Sequence, residues 1–331
     1  MSAKRAADAV GTSFWVGRSI RPLRRLLSLS YDEASFERRG FVEIDPTKRL
    51  ALEATGHAFI GGYNAALTAD HLDDALQHVD TVTPSRRGFA VEGAAMGFAI
   101  ADALPLQKPN LPHFLRSFER EFSYLTHVGT GWALARVPWR RRQILAQLDP
   151  VHYWLAYDGL GFHDTYFYHL RVLAGWSRQR TSYISRVYDQ GVGRALWFAS
   201  GGSVAATTRL IASFPSQRQS DLWSGLGLAM AYAGPADEGD IADALENAGD
   251  CKSRFAQGVA FACEARALAR HIPAQTDLAA RNVSGASAEA LSALVRDVRR
   301  NLPPAGADTP LYEIWQRQVA AAITPMLEQR S

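Results

Sequence analysis

The sequence predicts an all-α protein made of two pseudo-symmetric helical repeats. Three observations point there. Apolar residues recur at helical spacing along most of the chain. Alternating β-branched strands are almost absent. Four glycine landmarks also recur in the same order (Gly40/Gly161, Gly62/Gly191, Gly93/Gly225 and Gly131/Gly258), about 121 to 132 residues apart. The chain has 331 residues, 47% apolar and 21% charged, which suits two domains or one large one. That composition excludes disorder, collagen or coiled coil as the main state.

Residues 1–30 read as a basic amphipathic arm. In Ser13–Leu29, the apolar residues Phe14, Trp15, Val16, Ile20, Leu23, Leu26 and Leu27 alternate with Arg18, Arg21, Arg24 and Arg25, and Pro22 divides the pattern. Such a helix lies in a lipid headgroup layer or packs on its own protein, the ordinary state of an amphipathic helix. No secretory signal and no run of about 18 apolar residues is visible. The expectation is a cytoplasmic protein whose residues 13–29 pack on its own core, with peripheral contact at the inner membrane through the same residues as the alternative.

Repeat 1 is expected over 31–138, a connector over 139–151, repeat 2 over 152–268 and a helical tail over 269–331. Leu72, Ala75, Leu76 and Val79 form one helical stripe, and Phe89, Val91, Ala94, Phe98 and Ala101 another. In the tail, Leu311, Ile314, Trp315, Val319, Ile323 and Leu327 form a closing helix after the Pro303–Asp308 break. The apolar helices are rich in small residues: Gly93 with Gly97, Gly129 with Gly131, Gly225 with Gly227, and Gly258 with Ala260 and Ala262. Glycine inside a helix costs about 1 kcal/mol against alanine, so something offsets it. Close packing at a seam between the repeats would do so, and so would backbone clearance for a ligand.

Charge and cysteine content exclude several classes. A balance of 36 basic against 33 acidic residues is too even for a nucleic-acid partner. Two cysteines exclude a disulfide scaffold or a cysteine-rich zinc module. No phosphate-binding glycine loop, nucleotide fingerprint or nucleophile elbow appears, and no cofactor is specified.

Polar chemistry concentrates in Asp149–Arg171, DPVHYWLAYDGLGFHDTYFYHLR, which mixes Asp149, His152, Asp158, His163, Asp164 and His169 with aromatic residues. Histidine and aspartate among aromatics suit proton transfer beside an apolar substrate, and equally suit helix capping. His163 and His169 lack metal-ligand spacing, so no metal site is assigned. Glu92 sits in an apolar, small-residue helix, where a carboxylate is costly to bury unless paired. Arg136 and Arg266 are its candidate partners. Isoprenoid cyclisation requires acids for magnesium-diphosphate or for protonating an alkene. Asp70, Asp73 and Asp74, or Asp237, Glu238, Asp240 and Asp243, are the nearest clusters, and both read better as solvated helix starts.

Taken together, FERRGF, GGYNAAL, RRGFAVEGAAMGFAIAD, VGTGWALARV, LDPVHYWLAYDGLGFHDTYF, DLWSGLGLAMAYAG and RFAQGVAFACEARALA resemble the domain of unknown function 1702 family over about residues 36–270. Several members of that family are encoded in bacterial enediyne polyketide clusters. The resemblance implies a role in natural-product biosynthesis and carries over no catalytic residue.

The expectation is therefore a biosynthetic enzyme acting by acid/base chemistry on a hydrophobic polyene, polyketide or isoprenoid substrate. Its pocket would lie between the repeats, lined by Tyr63, Trp132, Trp154, Tyr157, Phe167, Trp223 and Tyr232. His163 and Asp164 would move protons, Asp158 would orient them, and Glu92 would be a second carboxylate. The alternatives are a non-catalytic carrier or assembly protein of a polyketide pathway, and a terpene cyclase.

Overall fold

The computed structural model describes residues 23–105, 109–176, 182–304 and 309–329. Among them the fold is all-α, without strands. Ten helices carry it: α1 (Pro46–Thr68), α2 (Pro84–Ala101), α3 (Ser123–Arg136), α4 (Leu155–Leu173), α5 (Ser182–Ala199), α6 (Ser216–Ala233), α7 (Lys252–Leu268), α8 (Ala274–Ser284), α9 (Ala288–Arg300) and α10 (Leu311–Glu328). Shorter helices such as Leu72–Thr81, Val204–Ala212 and Glu238–Asn247 lie in the connections.

Helices α1 to α7 pack in chain order, each against the next. The glycines make this packing close. A β-carbon on Gly62 would sit 1.9 Å from the Ala90 carbonyl oxygen of α2, and one on Gly93 would sit 1.9 Å from the Phe59 oxygen of α1. The same reciprocal contact joins α3 to α4 (Gly131 on Ala156, Gly159 on Val128), α4 to α5 (Gly161 on Tyr188, Gly191 on Asp158), α5 to α6 (Gly193 on Leu222, Gly225 on Gln190) and α6 to α7 (Gly227 on Phe255, Gly258 on Ser224). Between α2 and α3, Gly129 meets the Glu92 carbonyl. In a G-x-G pair the first glycine meets the preceding helix and the second the following one. Backbones at this separation leave no room for a side chain, and their Cα–H groups face carbonyl oxygens.

This packing revises the reading of the repeat. The glycines that meet the preceding helix are Gly93, Gly129, Gly159, Gly191, Gly225 and Gly258. With Gly62 they lie 30 to 36 residues apart, so the contact recurs once per helix. Gly62 to Gly191, Gly93 to Gly225 and Gly129 to Gly258 each span four helices. The long offset seen in the sequence thus contains four short steps, and the chamber described below lies inside a curved row of helices, with residues from both 31–138 and 152–268 in its wall.

The helices of the row are apolar nearly all round because both flanks are covered. Every residue of α2 from Gly88 to Ala101 is buried, as is every residue of α7 from Phe255 to Arg266. Gly93 meets Phe59, and Gly97 meets Tyr63. Equal four-residue steps mean that α1 and α2 run in the same direction, with Leu72–Thr81 in the return connection. The row curls back on itself. Lys48 at the start of α1 donates to the Gly202 carbonyl at 3.2 Å and pairs with Asp240 at 2.5 Å, and Arg266 of α7 donates to the Ser85 carbonyl of α2 at 2.8 Å. Helices α9 and α10 pack against the far side of α7.

The basic arm expected over residues 1–30 falls mostly outside the described residues, since only Leu23–Leu29 of Ser13–Leu29 is described. This piece is tied to α1. Arg24 donates to the Ala69 carbonyl at 2.8 Å, and the Tyr63 hydroxyl to the Leu27 carbonyl at 2.8 Å. Asn64 accepts the Leu29 N–H at 2.9 Å and donates to its carbonyl at 2.8 Å. Leu26 remains 82% exposed. No helix among the described residues is long and apolar enough to cross a membrane.

Candidate functional site

Six successive helices, α1 to α6, surround an enclosed chamber. Its wall is aromatic: Phe59 from α1, Phe89 from α2, Trp132 from α3, Phe162, Tyr166 and Phe167 from α4, Phe198 from α5 and Tyr232 from α6. Ile60, Leu228 and Ala229 fill the gaps. The empty space, open solvent at the mouth included, is about 640 Å³, but the room wide enough for a water-sized molecule is only about 40 Å³. A ligand therefore has to spread the aromatic rings to enter. Small-molecule sites span roughly 300–1,000 Å³ and are mostly apolar with a few placed polar groups; this chamber has such a lining and is far smaller as it stands.

Three charged side chains line this wall: Glu33, which is paired with Arg38 and Arg39, Glu92 from α2 and Arg194 from α5. Glu92 is 2% exposed, and its Oε1 accepts the Trp132 indole N–H at 3.1 Å. Burial pushes its carboxyl up to about 7; the Arg194 guanidinium pulls it back, the Asp158 charge raises it further, and the Trp132 hydrogen bond lowers it. A group titrating near neutrality can both give and take a proton at physiological pH. Arg194 forms a buried ion pair with Asp158 Oδ1 and lies 5.0 Å over the Phe162 ring. Asp158 is fully buried; burial raises its carboxyl, and Arg194 opposes the shift.

Asp158 and Arg194 also line a second, inner chamber with Tyr124, Leu125, Val128, Leu155, Leu228, Tyr232, Phe261, Ala262, Ala265 and Tyr312. Arg194, Leu228 and Tyr232 belong to both chambers. The buried pair therefore stands in the wall between an aromatic room and a second, mostly apolar one.

Of the expected proton-transfer residues, Glu92 faces the aromatic chamber and Asp158 the inner one. His163 and Asp164 line neither. Arg136 Nε donates to His163 Nε2 at 3.0 Å, so the ring proton is on Nδ1, which faces Asp164 Oδ1 at 3.1 Å. Asp164 Oδ2 accepts the Tyr188 hydroxyl at 2.9 Å. This chain stands behind the wall, with the His163 ring 5.7 Å edge-on from Trp132. The partners expected for Glu92 are engaged elsewhere: Arg136 on His163, Arg266 on the Ser85 and Tyr232 carbonyls.

Of the expected pocket aromatics, Trp132, Phe167 and Tyr232 line the aromatic chamber. Tyr63 instead holds the arm. Trp154 packs on Tyr153 and Tyr183, Tyr157 carries the Arg141 guanidinium at 5.0 Å, and Trp223 packs against Phe255. Sequence reasoning missed Arg194. Its signal was a charged residue directly after G-x-G in the apolar run YDQGVGRAL.

The acidic clusters serve as helix starts. Asp74 accepts the His71 N–H, and Asp237 and Asp240 cap each other's backbone. Among the described residues no three His, Cys, Asp or Glu side chains gather as a metal-holding group. A wider cleft near the end of α9 has five arginines, Arg116, Arg120, Arg296, Arg299 and Arg300. Its two histidines are tied down: His127 binds the Ser123 carbonyl and the Asp149 N–H, and His152 accepts from Arg299.

The fold and site thus define an all-α protein with an enclosed aromatic chamber that holds one carboxyl group titrating near neutrality. A family model described as "Protein of unknown function (DUF1702)" matches residues 18–323, and the chain belongs to that family. No curated protein and no solved structure matches it.

Proposed function

We propose that this protein is a natural-product biosynthetic enzyme that performs acid/base chemistry on a hydrophobic polyene, polyketide or isoprenoid substrate in the aromatic chamber. The observation that carries this reading is Glu92, a carboxyl group held near neutrality in a wall of eight aromatic side chains. Protonated, it can deliver a proton to a carbon–carbon double bond or an enol; ionised, it can remove one from a neighbouring carbon. Aromatic faces stabilise cationic charge that develops on an apolar substrate. Arg194 keeps Glu92 from being wholly protonated, and Trp132 orients it. Arg136, His163, Asp164 and Tyr188 act as positioning residues behind Trp132 and Phe167.

The isoprenoid version is a proton-initiated terpene cyclase. The acids read from the sequence as a magnesium-diphosphate site cap helices and line neither chamber, which favours initiation by Glu92. A cytoplasmic setting, with residues 13–29 against the inner membrane, would give access to an apolar substrate. No nucleic-acid partner belongs to this reading.

The test is native mass spectrometry of protein purified from its own host, followed by extraction of what co-purifies. The recovered molecule is then incubated with wild type and Glu92→Gln in deuterated water. Deuterium entering a new product with wild type, and not with the variant, is the expected result. A recovered apolar molecule that neither protein alters assigns the chamber to a carrier instead.

A further inference from the structure

A pocket beside the aromatic chamber has an electropositive wall. Thr55, Phe89, Tyr232 and Ala233 line both spaces, so they form the partition between them. The room in this pocket wide enough for a water-sized molecule is about 180 Å³, against about 40 Å³ in the aromatic chamber. Two guanidiniums line it, Arg86 from the first turn of α2 and Arg266 from α7, and among the described residues no carboxylate does. Arg266 is 4% exposed. It donates to the Ser85 and Tyr232 carbonyls and lies 3.8 Å over the Tyr232 ring, groups that offer partial charge only. Burial pulls this guanidinium below its ordinary range, and only Tyr232 opposes the shift. A buried cation is ordinarily paired with an acid. The backbone adds to the field. Ser85 and Arg86 at the start of α2, and Gln275 and Thr276 at the start of α8, reach the pocket. Neither N-cap residue, Thr83 or Pro273, gives a side-chain hydrogen bond to its helix, and helix N-termini carry partial positive charge. The C-terminal end of α6 is the one opposing element, and its Met230, Ala231 and Tyr232 carbonyls are capped by Gln275, Thr276 and Arg266.

We infer that this pocket receives the oxyanionic head group, a carboxylate or a phosphate, of the ligand whose apolar part lies in the aromatic chamber. The inference rests on the proposed function for that apolar part, and it narrows the substrate to an amphipathic acid. Carboxylate and phosphate oxygens match the planar donor fork of a guanidinium. A neutral alcohol or ester head would leave both arginines without a counter-charge. The shared partition sets the geometry: a ligand that crosses it puts its acidic end beside Arg266 and its chain against the wall that contains Glu92. The head group thus decides which carbons of the chain reach the Glu92 carboxyl.

Fluorescence titration at neutral pH with farnesoic acid, farnesyl monophosphate and the neutral methyl farnesoate, which share one apolar chain, tests the head group. At least one anionic probe should bind about tenfold or more tightly than the ester, the worth of one charge-assisted hydrogen bond, and the better of the two names the head group as carboxylate or phosphate. Arg86→Gln and Arg266→Gln should each erode that preference and leave ester binding unchanged. Arg86 is only half-buried, so its substitution should fold even if Arg266→Gln, which uncaps Tyr232, does not. Equal binding of ester and anions, or an anion preference that survives the substitutions, overturns the inference. If none of the three probes binds, the aromatic chamber fails as an apolar site, and a selenate soak of crystals decides the pocket by itself. An anomalous selenium peak in contact with Arg86 or Arg266 then supports an oxyanion site there, and no peak in the pocket overturns it.

Discussion

Gly225→Ala tests whether the helix row depends on backbone contact. A β-carbon at this position would lie 2.0 Å from the Gln190 carbonyl oxygen and 2.8 Å from the Arg194 nitrogen, both on α5. No rotamer change relieves a clash with main chain, so α5 and α6 must part by about 1 Å in an interior packed at crystal-like density. Overpacking of this kind costs about 1–3 kcal/mol or more. Helix propensity moves the other way, with alanine favoured over glycine by about 1 kcal/mol. Because the obstruction is rigid we expect the upper end of the cost, a net loss of about 2 kcal/mol, or about 4 °C in Tm. The matched control is Gly239→Ala in the helix Glu238–Asn247, where the nearest atom is the flexible Asp237 Oδ1 at 3.3 Å. It should be neutral or slightly stabilising. Urea titrations followed by far-UV circular dichroism measure both. If Gly225→Ala is as stable as Gly239→Ala, the close-contact account of the row is wrong.

Three other predictions concern buried groups. The folded protein keeps the Glu92 proton to about pH 7, whereas the unfolded chain releases it near 4.5. Stability from this group is therefore full below pH 4.5 and lost as pH rises through 7, by about 3 kcal/mol in all. Glu92→Gln should narrow the stability difference between pH 5 and pH 8 by up to that amount, and an unchanged pH profile in paired denaturation curves would contradict it. Asp158→Ala leaves Arg194 buried and unpaired, which should cost about 3–5 kcal/mol. The milder Asp158→Asn should lower the Glu92 pKa, read by carbon-13 NMR of labelled carboxyl groups, because it removes a negative charge that raises it; an upward shift would refute the coupling. Cys263 is fully buried, and burial pushes its thiol up, while Cys251 is half-buried. A thiol reagent should modify one cysteine slowly in the native protein and the second only after unfolding, and prompt modification of both would show that α7 is not packed as described.

Two of the expected acid/base residues do not line a chamber, for a physical reason. His163 and Asp164 stand out because histidine and aspartate side by side look reactive. In the fold they satisfy each other, Arg136 and Tyr188, and an apolar wall separates them from the chamber. Glu92 was legible as a lone carboxylate in an apolar helix. Its partner was not, because Arg194 lies 102 positions further along the chain and reaches Glu92 only when the row curls. Likewise Trp132 and Tyr232 were legible as pocket residues by their size and placement, whereas Tyr63 and Trp223 have the same character and point away.

What the sequence determined by itself was local: helical periodicity, an all-α class, and glycines whose cost in a helix had to be offset by close packing or by clearance for a ligand. Those properties depend on neighbours within a turn or two, so composition and spacing reveal them. Only the tertiary structure decided that the glycine contact recurs once per helix, that six helices enclose a chamber, and which polar groups enter it. The direction in which a buried side chain points is fixed by the angle at which successive helices cross. That angle is set by backbone contacts between residues about thirty apart, which a linear reading does not contain.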